Sequence, residues 1–242
     1  MIFISETAAQ LARSFALEFK NICDDVIIEK GRINLAISGG NTPKLLFEIL
    51  ATDYKNKIDW ERIFFYWADE RCVSPVSIES NYGMIRKILF EKINIPDSNI
   101  YRIHGENDPA SEAVSYSELI KNNLKTENGF PKFDLILLGM GDDGHTASIF
   151  PDRLDLLNSE DICAVAAHPE SKQKRITLTG NTINNADKIY FLVTGKSKSE
   201  VIFEILEKKY NYLKYPSSYI HPNKHYSVWY LDKEAASLLK IK

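Results

Sequence analysis

A glycine-rich segment of the sequence contains a histidine together with two carboxylates. It reads GMGDDGHT (139–146) and follows an apolar run that is typical of a buried strand. Free histidine has a pKa of about 6.5, which suits proton transfer near neutral pH. Asp143, two residues before His145, is placed to orient the ring or to stabilise its charge. The segment therefore favours a functional role for His145 in proton transfer, against the alternative that a lone histidine is structural or exposed.

The same segment matches the GxGxxG pattern of dinucleotide-binding proteins, but its surroundings differ from theirs. Pro151 follows the last glycine, Gly144, by seven residues, which leaves little room for the long helix that the pattern requires. The downstream acidic candidate, Asp161, precedes the next apolar run instead of ending it. This context disfavours nucleotide binding.

A second loop, SGGNTP (38–43), combines residue types that suit a phosphate site. Gly39 and Gly40 let the backbone turn sharply and approach a ligand closely. We expect Thr42 to cap the following helix, with Pro43 in its first turn, where the missing N–H costs nothing. The free amides and the dipole of a helix start attract anions. The alternative is a tight turn that binds nothing, and the GxxxxGK[ST] spacing of a Walker loop is absent.

Further charged residues extend the candidate site. ADER (68–71) directly follows an aromatic run, so Asp69, Glu70 and Arg71 offer acid–base and anion-binding groups in a loop at a strand end. Successive residues point in different directions, so only some of the three can face one cleft; a solvated charged loop is the alternative. Arg175 and Lys198 lie beside later predicted strands and are candidates to neutralise a phosphate.

The elements that must position these loops follow from the apolar pattern. Apolar runs predict strands at 33–37, 63–67, 133–138, 162–167, 175–179, 188–193 and 225–231. Helical spacing predicts helices at 5–30, 42–54, 81–93, 109–125 and 199–210, the first capped by Ser5 and ended by Gly31. Unbroken apolar strands alternating with amphipathic helices indicate a parallel sheet covered on both faces, which binds ligands beyond the carboxyl ends of its strands.

The overall composition excludes several classes of protein. The 242 residues are 44% hydrophobic and 26% charged, which excludes wholesale disorder, and their net charge of −3 disfavours nucleic-acid binding through a basic surface. No run approaches the roughly 18 apolar residues of a membrane span, and the first residues do not resemble a secretion signal. The spacing of Cys23, Cys72 and Cys163 suits neither a disulfide framework nor a zinc site. Without repeats or linkers, residues 1–242 are expected to form one cytoplasmic domain.

Taken in order, these segments resemble the glucosamine-6-phosphate isomerase/6-phosphogluconolactonase family. The matching pieces are SGGNTP (38–43), ADER (68–71), SNYGM (80–84), GMGDDGHTASIFP (139–151), RITLTG (175–180), TGKSK (194–198) and WYLDKEA (229–235). The series spans most of the chain, and the fourth piece is the most specific. The resemblance implies a Rossmann-like three-layer α/β/α sandwich with a mainly parallel sheet, similar to glucosamine-6-phosphate deaminases and ribose-5-phosphate isomerases.

The resemblance also implies an activity, the hydrolysis of 6-phospho-D-glucono-1,5-lactone in the oxidative pentose phosphate pathway. His145 would activate water with Asp143 beside it, Arg71 would contact the substrate and offset the charge of the intermediate, and Asp69 would bind a hydroxyl or a water. The residues that would hold the phosphate end of the substrate are Ser38, Gly39, Gly40, Asn41, Thr42, Arg175 and Lys198. No metal or cofactor is implied, the expected partner is the small sugar-phosphate lactone, and the chain is expected to be a monomer or a weak homo-oligomer.

Two rival functions stay open at this point. A glucosamine-6-phosphate deaminase would use a similar phosphate site. In the deaminases, the segment that corresponds to residues 144–151 resembles GHIAFNEP, in which a glutamate is the partner of the histidine. This chain has Phe150 at the position of that glutamate. The deaminases also favour an aromatic residue in place of Arg71. A sugar-phosphate sensor without turnover would be expected to lose His145 or Asp143, and both are present. These differences favour the lactonase.

Overall fold

Strands and helices alternate along the chain in the computed structural model, which describes residues 1–222 and 227–240. The strands are β1 (Ile2–Ser5), β2 (Ile33–Ile37), β3 (Ile63–Trp67), β4 (Asp69–Arg71), β5 (Ile100–Tyr101), β6 (Thr126–Glu127), β7 (Phe130–Pro131), β8 (Leu135–Leu138), β9 (Cys163–Ala167), β10 (Lys174–Leu178), β11 (Lys188–Val193) and β12 (Val228–Asp232). The helices are α1 (Ala8–Lys30), α2 (Asn41–Asp53), α3 (Asn81–Ile88), α4 (Pro109–Asn123), α5 (Gly180–Asn184) and α6 (Ser199–Leu206), with short 3-10 turns between elements.

Seven strands form one sheet in the order β1-β12-β11-β8-β2-β3-β5, and every pairing within it is parallel. The sheet lies between helices in a three-layer α/β fold, which confirms the predicted fold class. β2 lies between β3 and β8, and β11 is next to β8. The loops that follow these four strands therefore meet at one edge of the sheet.

The core forms where the apolar runs and the helical stripes meet. All four side chains of β8 are buried, as are Ala36, Phe65, Trp67 and Phe191 in neighbouring strands. Helix α1 contributes a buried stripe that includes Phe15 and Phe19, at the spacing of one helix face. This continuous core holds the strand ends in fixed positions and thus determines where the following loops lie.

The chain start corrects two sequence-based expectations. Residues 2–5 form β1, an edge strand parallel to β12, where the sequence pattern had not indicated a strand. Helix α1 begins at Ala8 instead of residue 5, because Oγ1 of Thr7 accepts a hydrogen bond from the backbone of Gln10 (3.2 Å) and caps the helix. Its predicted terminator is confirmed: Gly31 has φ of 80° and donates its N–H to the carbonyl of Ile27.

The predicted strands around residues 162–167 and 175–179 are present but do not join the parallel sheet. β9 and β10 are antiparallel to each other, and β10 also pairs antiparallel with β4. The ADER segment, expected as a loop, thus supplies the strand β4, and the last predicted strand runs over Val228–Asp232. Residues 225 and 226 of that prediction lie outside the described residues.

Two lysines and two aspartates connect elements at the amino ends of the strands. Nζ of Lys30 donates to Oδ1 of Asp134 (2.7 Å) and to Oδ2 of Asp187 (2.8 Å). Nζ of Lys132 lies 2.7 Å from Oδ1 of Asp187. This network joins the end of α1 to the segments before β8 and β11, far from the loops at the carboxyl ends of the strands.

Two further findings bear on the class of protein. None of the helices in the described ranges is long and apolar enough to cross a membrane. The three cysteines are free thiols, and Cys23 and Cys163 are buried. Burial raises the pKa of Cys163 to about 12, so this thiol is held in its neutral form.

Candidate active site

A cleft of about 450 Å³ opens at the carboxyl edge of the sheet. The predicted site residues that line it are Ser38, Gly39, Gly40, Asn41, Thr42, Asp69, Arg71, His145, Arg175 and Lys198. Only Asp143 of the predicted set does not line the cleft; it lies behind the ring of His145. The topology thus brings residues from five separated segments into one site.

The SGGNTP loop fits tightly at the start of α2. A Cβ at Gly39 would lie 1.9 Å from Oδ1 of Asn81, so only glycine permits this approach. Gly40 precedes the helix with φ of 112°. The expectation that Thr42 caps α2 was wrong: the helix already begins at Asn41, and Oγ1 of Thr42 instead shares a 2.7 Å hydrogen bond with Oγ1 of Thr194.

The alternation of a strand separates the three charged residues of β4. Asp69 and Arg71 face the cleft, whereas Glu70 points to the start of α3. The Glu70 carboxylate accepts hydrogen bonds from the backbone N–H groups of Arg71, Asn81 and Tyr82. Burial raises the pKa of Glu70, and these three bonds oppose the shift. Glu70 therefore fastens α3 to β4 and contributes no group to the cleft.

Arg71 and Arg175 lie directly opposite each other across the antiparallel pair of β4 and β10. Like charges in this position destabilise a sheet. Nε of each guanidinium is buried without a hydrogen-bond partner among the described residues. Burial lowers the pKa of Arg175, and the nearby carboxylate of Asp69, 4.0 Å from Nη1, opposes that shift. Two adjacent cations with unused donors are typical of a site that binds an anion.

Asp69 itself is nearly fully buried. Its Oδ2 accepts a 2.7 Å hydrogen bond from Oγ of Ser148, whose backbone N–H donates to Oγ1 of Thr177. Thr177 pairs with Asp69 across the strands. These contacts fix the carboxylate beside the two arginines.

His145 and Asp143 form a closely packed pair in the loop after β8. Nδ1 of His145 lies 2.5 Å from Oδ1 of Asp143, and the same oxygen accepts the backbone N–H of His145 (3.1 Å). Burial raises the pKa of Asp143, but the hydrogen bonds and the charge of His145 outweigh it, so the pKa lies below its ordinary value. The other ring nitrogen, Nε2, has no hydrogen-bond partner in the described part of the chain. The arrangement suits a base whose ring is oriented by a carboxylate.

Close packing around this pair explains two features of the loop. A Cβ at Gly141 would lie 2.1 Å from Nδ1 of His145 and 2.7 Å from Oδ1 of Asp143. The ring of Phe150 lies 4.8 Å from the His145 ring, centroid to centroid. No long helix follows Gly144; the next helical segment is a 3-10 stretch from Pro151 to Leu157. The GxGxxG match therefore lacks the helix of a dinucleotide site.

Lys198, in the segment between β11 and α6, also lines the cleft and binds a carboxylate. Its Nζ lies 2.5 Å from Oδ1 of Asp142, and the hydrogen bond from Lys198 is the main reason that the pKa of Asp142 is lowered. Lys198 precedes α6 and follows Thr194, which contacts Thr42 at the start of α2. The predicted phosphate-binding cations thus come from different elements that line one cleft: Lys198 follows the turn that contacts α2, and Arg175 lies in β10 opposite Arg71.

Comparison with known proteins identifies the family that has this fold and these loops. The model of the family described as glucosamine-6-phosphate isomerases/6-phosphogluconolactonase matches residues 6–229. The chain belongs to this family.

Individual members of the family are similar over most of their length. The 6-phosphogluconolactonase of Haemophilus influenzae is 44% identical over 208 residues, which cover 86% of this chain and 88% of the relative. The structure of 6-phosphogluconolactonase from Trypanosoma brucei superposes with a TM-score of 0.90 at 26% identity, covering 99% of this chain and 98% of that one. A monomeric glucosamine-6-phosphate deaminase has the same fold, with a TM-score of 0.80 at 22% identity over 98% of this chain and 99% of its own.

The structure also shows cleft residues that sequence reasoning did not assign. Asn81 lines the cleft and donates its Nδ2 to the carbonyl of Asp69, and Asp142 lines it beside Lys198. Both belong to segments that the family resemblance had marked, SNYGM and GMGDDGHT, which was the available signal. Among the described residues, no group of three or more His, Cys, Asp or Glu side chains could hold a metal ion.

Proposed function

We propose that this protein hydrolyses 6-phospho-D-glucono-1,5-lactone to 6-phospho-D-gluconate, the second step of the oxidative pentose phosphate pathway. The observation that carries the proposal is the pair of His145 and Asp143 at the cleft, with Nδ1 held by the carboxylate and Nε2 unpaired among the described residues. The 6-phosphogluconolactonases to which the chain is similar support the choice of substrate.

His145 acts on the water that attacks the lactone. Asp143 keeps a proton on Nδ1, so Nε2 accepts a proton from water as the water oxygen bonds to the lactone carbonyl carbon. The ring C–O bond of the tetrahedral intermediate then breaks, and its oxygen takes the proton back from Nε2. The new carboxylic acid then releases its proton to solvent to give 6-phospho-D-gluconate. Atoms and charge balance with water as the co-reactant, because water supplies the carboxylate oxygen, the proton on the ring oxygen and the released proton.

The cations of the cleft stabilise the charges of substrate and intermediate. Arg71 carries an unused buried Nε, and its Nη1 is held by the carbonyl of Glu79 at 2.6 Å. A guanidinium fixed in this way offsets the negative charge that develops on the carbonyl oxygen. The phosphate is bound by the start of α2, Lys198 and Arg175, and Asp69 binds a sugar hydroxyl or orders a water.

Phe150 favours the lactonase over a deaminase. It contacts the His145 ring and stands at the position where the deaminase segment has a glutamate that pairs with the histidine. Asp143 is therefore the one carboxylate that bonds to the ring within the described residues. Arg71, whose Nε is buried and which stands where the deaminases favour an aromatic residue, points the same way. A sensor without turnover would have no use for an oriented base.

The decisive experiment follows the decay of freshly prepared 6-phosphogluconolactone against its spontaneous hydrolysis. The wild-type protein should add a large enzymatic rate, and His145→Ala should lower kcat by about 10²-fold or more while binding 6-phosphogluconate as tightly as before. His104→Ala removes an exposed histidine outside the cleft and should leave the rate unchanged.

Two other outcomes would overturn the proposal in distinct ways. Ammonia release from glucosamine 6-phosphate without lactone hydrolysis would make the protein a deaminase. Tight binding of sugar phosphates with neither reaction would make it a sensor. Lactone hydrolysis that persists in His145→Ala would keep the substrate and remove His145 as the base.

A further inference from the structure

Lys198, which the proposed function assigns to the phosphate of the substrate, forms an ion pair with Asp142. Both residues line the cleft, and their charged atoms lie 2.5 Å apart. The two partners differ in burial: the Lys198 side chain is 18% exposed and that of Asp142 is 69% exposed. The carboxylate is therefore the more solvent-exposed partner of an ion pair that lines the cleft.

Asp142 and a phosphate group would compete for the positive charge of the same ammonium group. Nζ of Lys198 makes no other ion pair with a described residue, so the carboxylate of Asp142 holds it in one position. A phosphate has three acceptor oxygens and can bond to Lys198 and to the start of α2 together, whereas a monoanion replaces only the single contact of Asp142. Displacement of Asp142 thus favours a dianionic phosphate over a singly charged ligand.

We propose that Asp142 is a specificity-determining residue, whose carboxylate holds Lys198 and must be displaced from it by the phosphate group of the substrate. The proposal rests on the proposed function, because it deepens the phosphate site of the same cleft. The affinity for phosphate then depends on the competition between the Asp142 carboxylate and the phosphate, as well as on the charge of Lys198.

Inorganic phosphate tests this competition without any turnover. Asp142→Asn keeps the size of the side chain and removes its charge, so calorimetric titration should show phosphate binding about threefold tighter than in the wild type, as an exposed ion pair permits. The gain should be absent when the same change is made in a Lys198→Ala protein. The matched control is Asp53→Asn, which removes an exposed, ion-paired aspartate at the far end of α2.

The same variants give a kinetic readout with the lactone. Asp142→Asn should lower KM by a similar factor while kcat stays within about twofold, because Asp142 acts on binding through Lys198 and not on the reacting atoms.

Each contrary result has a distinct meaning. Phosphate binding in Asp142→Asn that is equal to or weaker than in the wild type overturns the proposal, and so does a wild-type protein that does not bind phosphate. An equal gain in the Lys198→Ala background also overturns it, because the effect would then come from overall charge. Failure of the lactonase assay with the binding difference intact would refute the proposed function alone.

Discussion

Oδ1 of Asp143 lies 2.5 Å from Nδ1 of His145, so a carboxylate two residues away determines the tautomer of the ring. Because a carboxylate only accepts hydrogen bonds, the proton between the two groups belongs to Nδ1 when the ring is neutral. Nε2 is then the basic nitrogen. The backbone N–H of His145 donates to the same oxygen, which fixes the Asp143 side chain as well.

Asp143→Asn is expected to reduce turnover strongly without affecting phosphate binding. An asparagine can donate its amide N–H to Nδ1, which favours the tautomer with the proton on Nε2 and removes the base. We expect kcat to fall by about 10²–10⁴-fold and KM to stay within about twofold. Steady-state kinetics on the lactone measure both values.

Asp155→Asn is the control for this change, because Asp155 is an exposed aspartate paired with Arg153 on the surface. It should leave both constants unaltered. A kcat of Asp143→Asn within about threefold of the wild type would show that the carboxylate does not set the tautomer during catalysis.

Gly141→Ala tests the close packing of the same pair. The new methyl group would lie 2.1 Å from Nδ1 of His145, so the ring must move and its bond to Asp143 must lengthen. We expect kcat to fall by about tenfold or more, since misplacing a catalytic group by about 1 Å is costly. Phosphate affinity should change less than kcat, because the new methyl group is directed at His145 and Asp143.

Gly139→Ala is the matched control in the same loop, since a Cβ there would meet no atom within 4 Å. It should keep nearly full activity. If both glycine variants lost the same activity, the cause would be a general disturbance of the loop and not the displacement of His145.

The positions of the main loops were predictable because the strands of a buried parallel sheet are continuously apolar in sequence. The runs that form β2, β3 and β8 are continuously apolar, and the rule that parallel strands end at one edge brings Ser38, Asp69 and His145 together. Successive residues of ADER were also expected to point in different directions, and Glu70 does point away from the cleft.

The antiparallel pairing of β4 could not be predicted in the same way. Asp69–Arg71 is three charged residues long, and its partner β10 lies about a hundred positions later in the chain, so no local pattern marks it. The pairing is made by contacts distant in sequence, such as the backbone N–H of Cys72 bonded to the carbonyl of Lys174. The same holds for Lys198 and Asp142, which are 56 residues apart.

Asp187→Asn should destabilise the fold in a manner that depends on pH. Burial raises the pKa of Asp187, but hydrogen bonds from Lys132 and Lys30 outweigh it, so the pKa in the folded protein lies below the ordinary value. The unfolded chain therefore takes up the proton first as the pH falls. The stability that Asp187 contributes is present above its ordinary pKa of about 4 and is lost as the pH falls through the folded value.

Urea unfolding between about pH 7 and pH 3 measures this dependence as a free energy of unfolding. We expect Asp187→Asn to be about 1 kcal/mol less stable than the wild type near pH 7, and the difference to shrink as the pH falls below about 4. Asp25→Asn, which alters an exposed aspartate of α1 without an ion pair among the described residues, should match the wild type throughout. Lys132 and Lys30 lower the pKa of Asp187 because they stabilise its charged carboxylate, so their contribution must disappear when the carboxylate is protonated. A difference in stability that stays constant with pH would therefore mean that Asp187 stabilises the fold by packing and not by its charge.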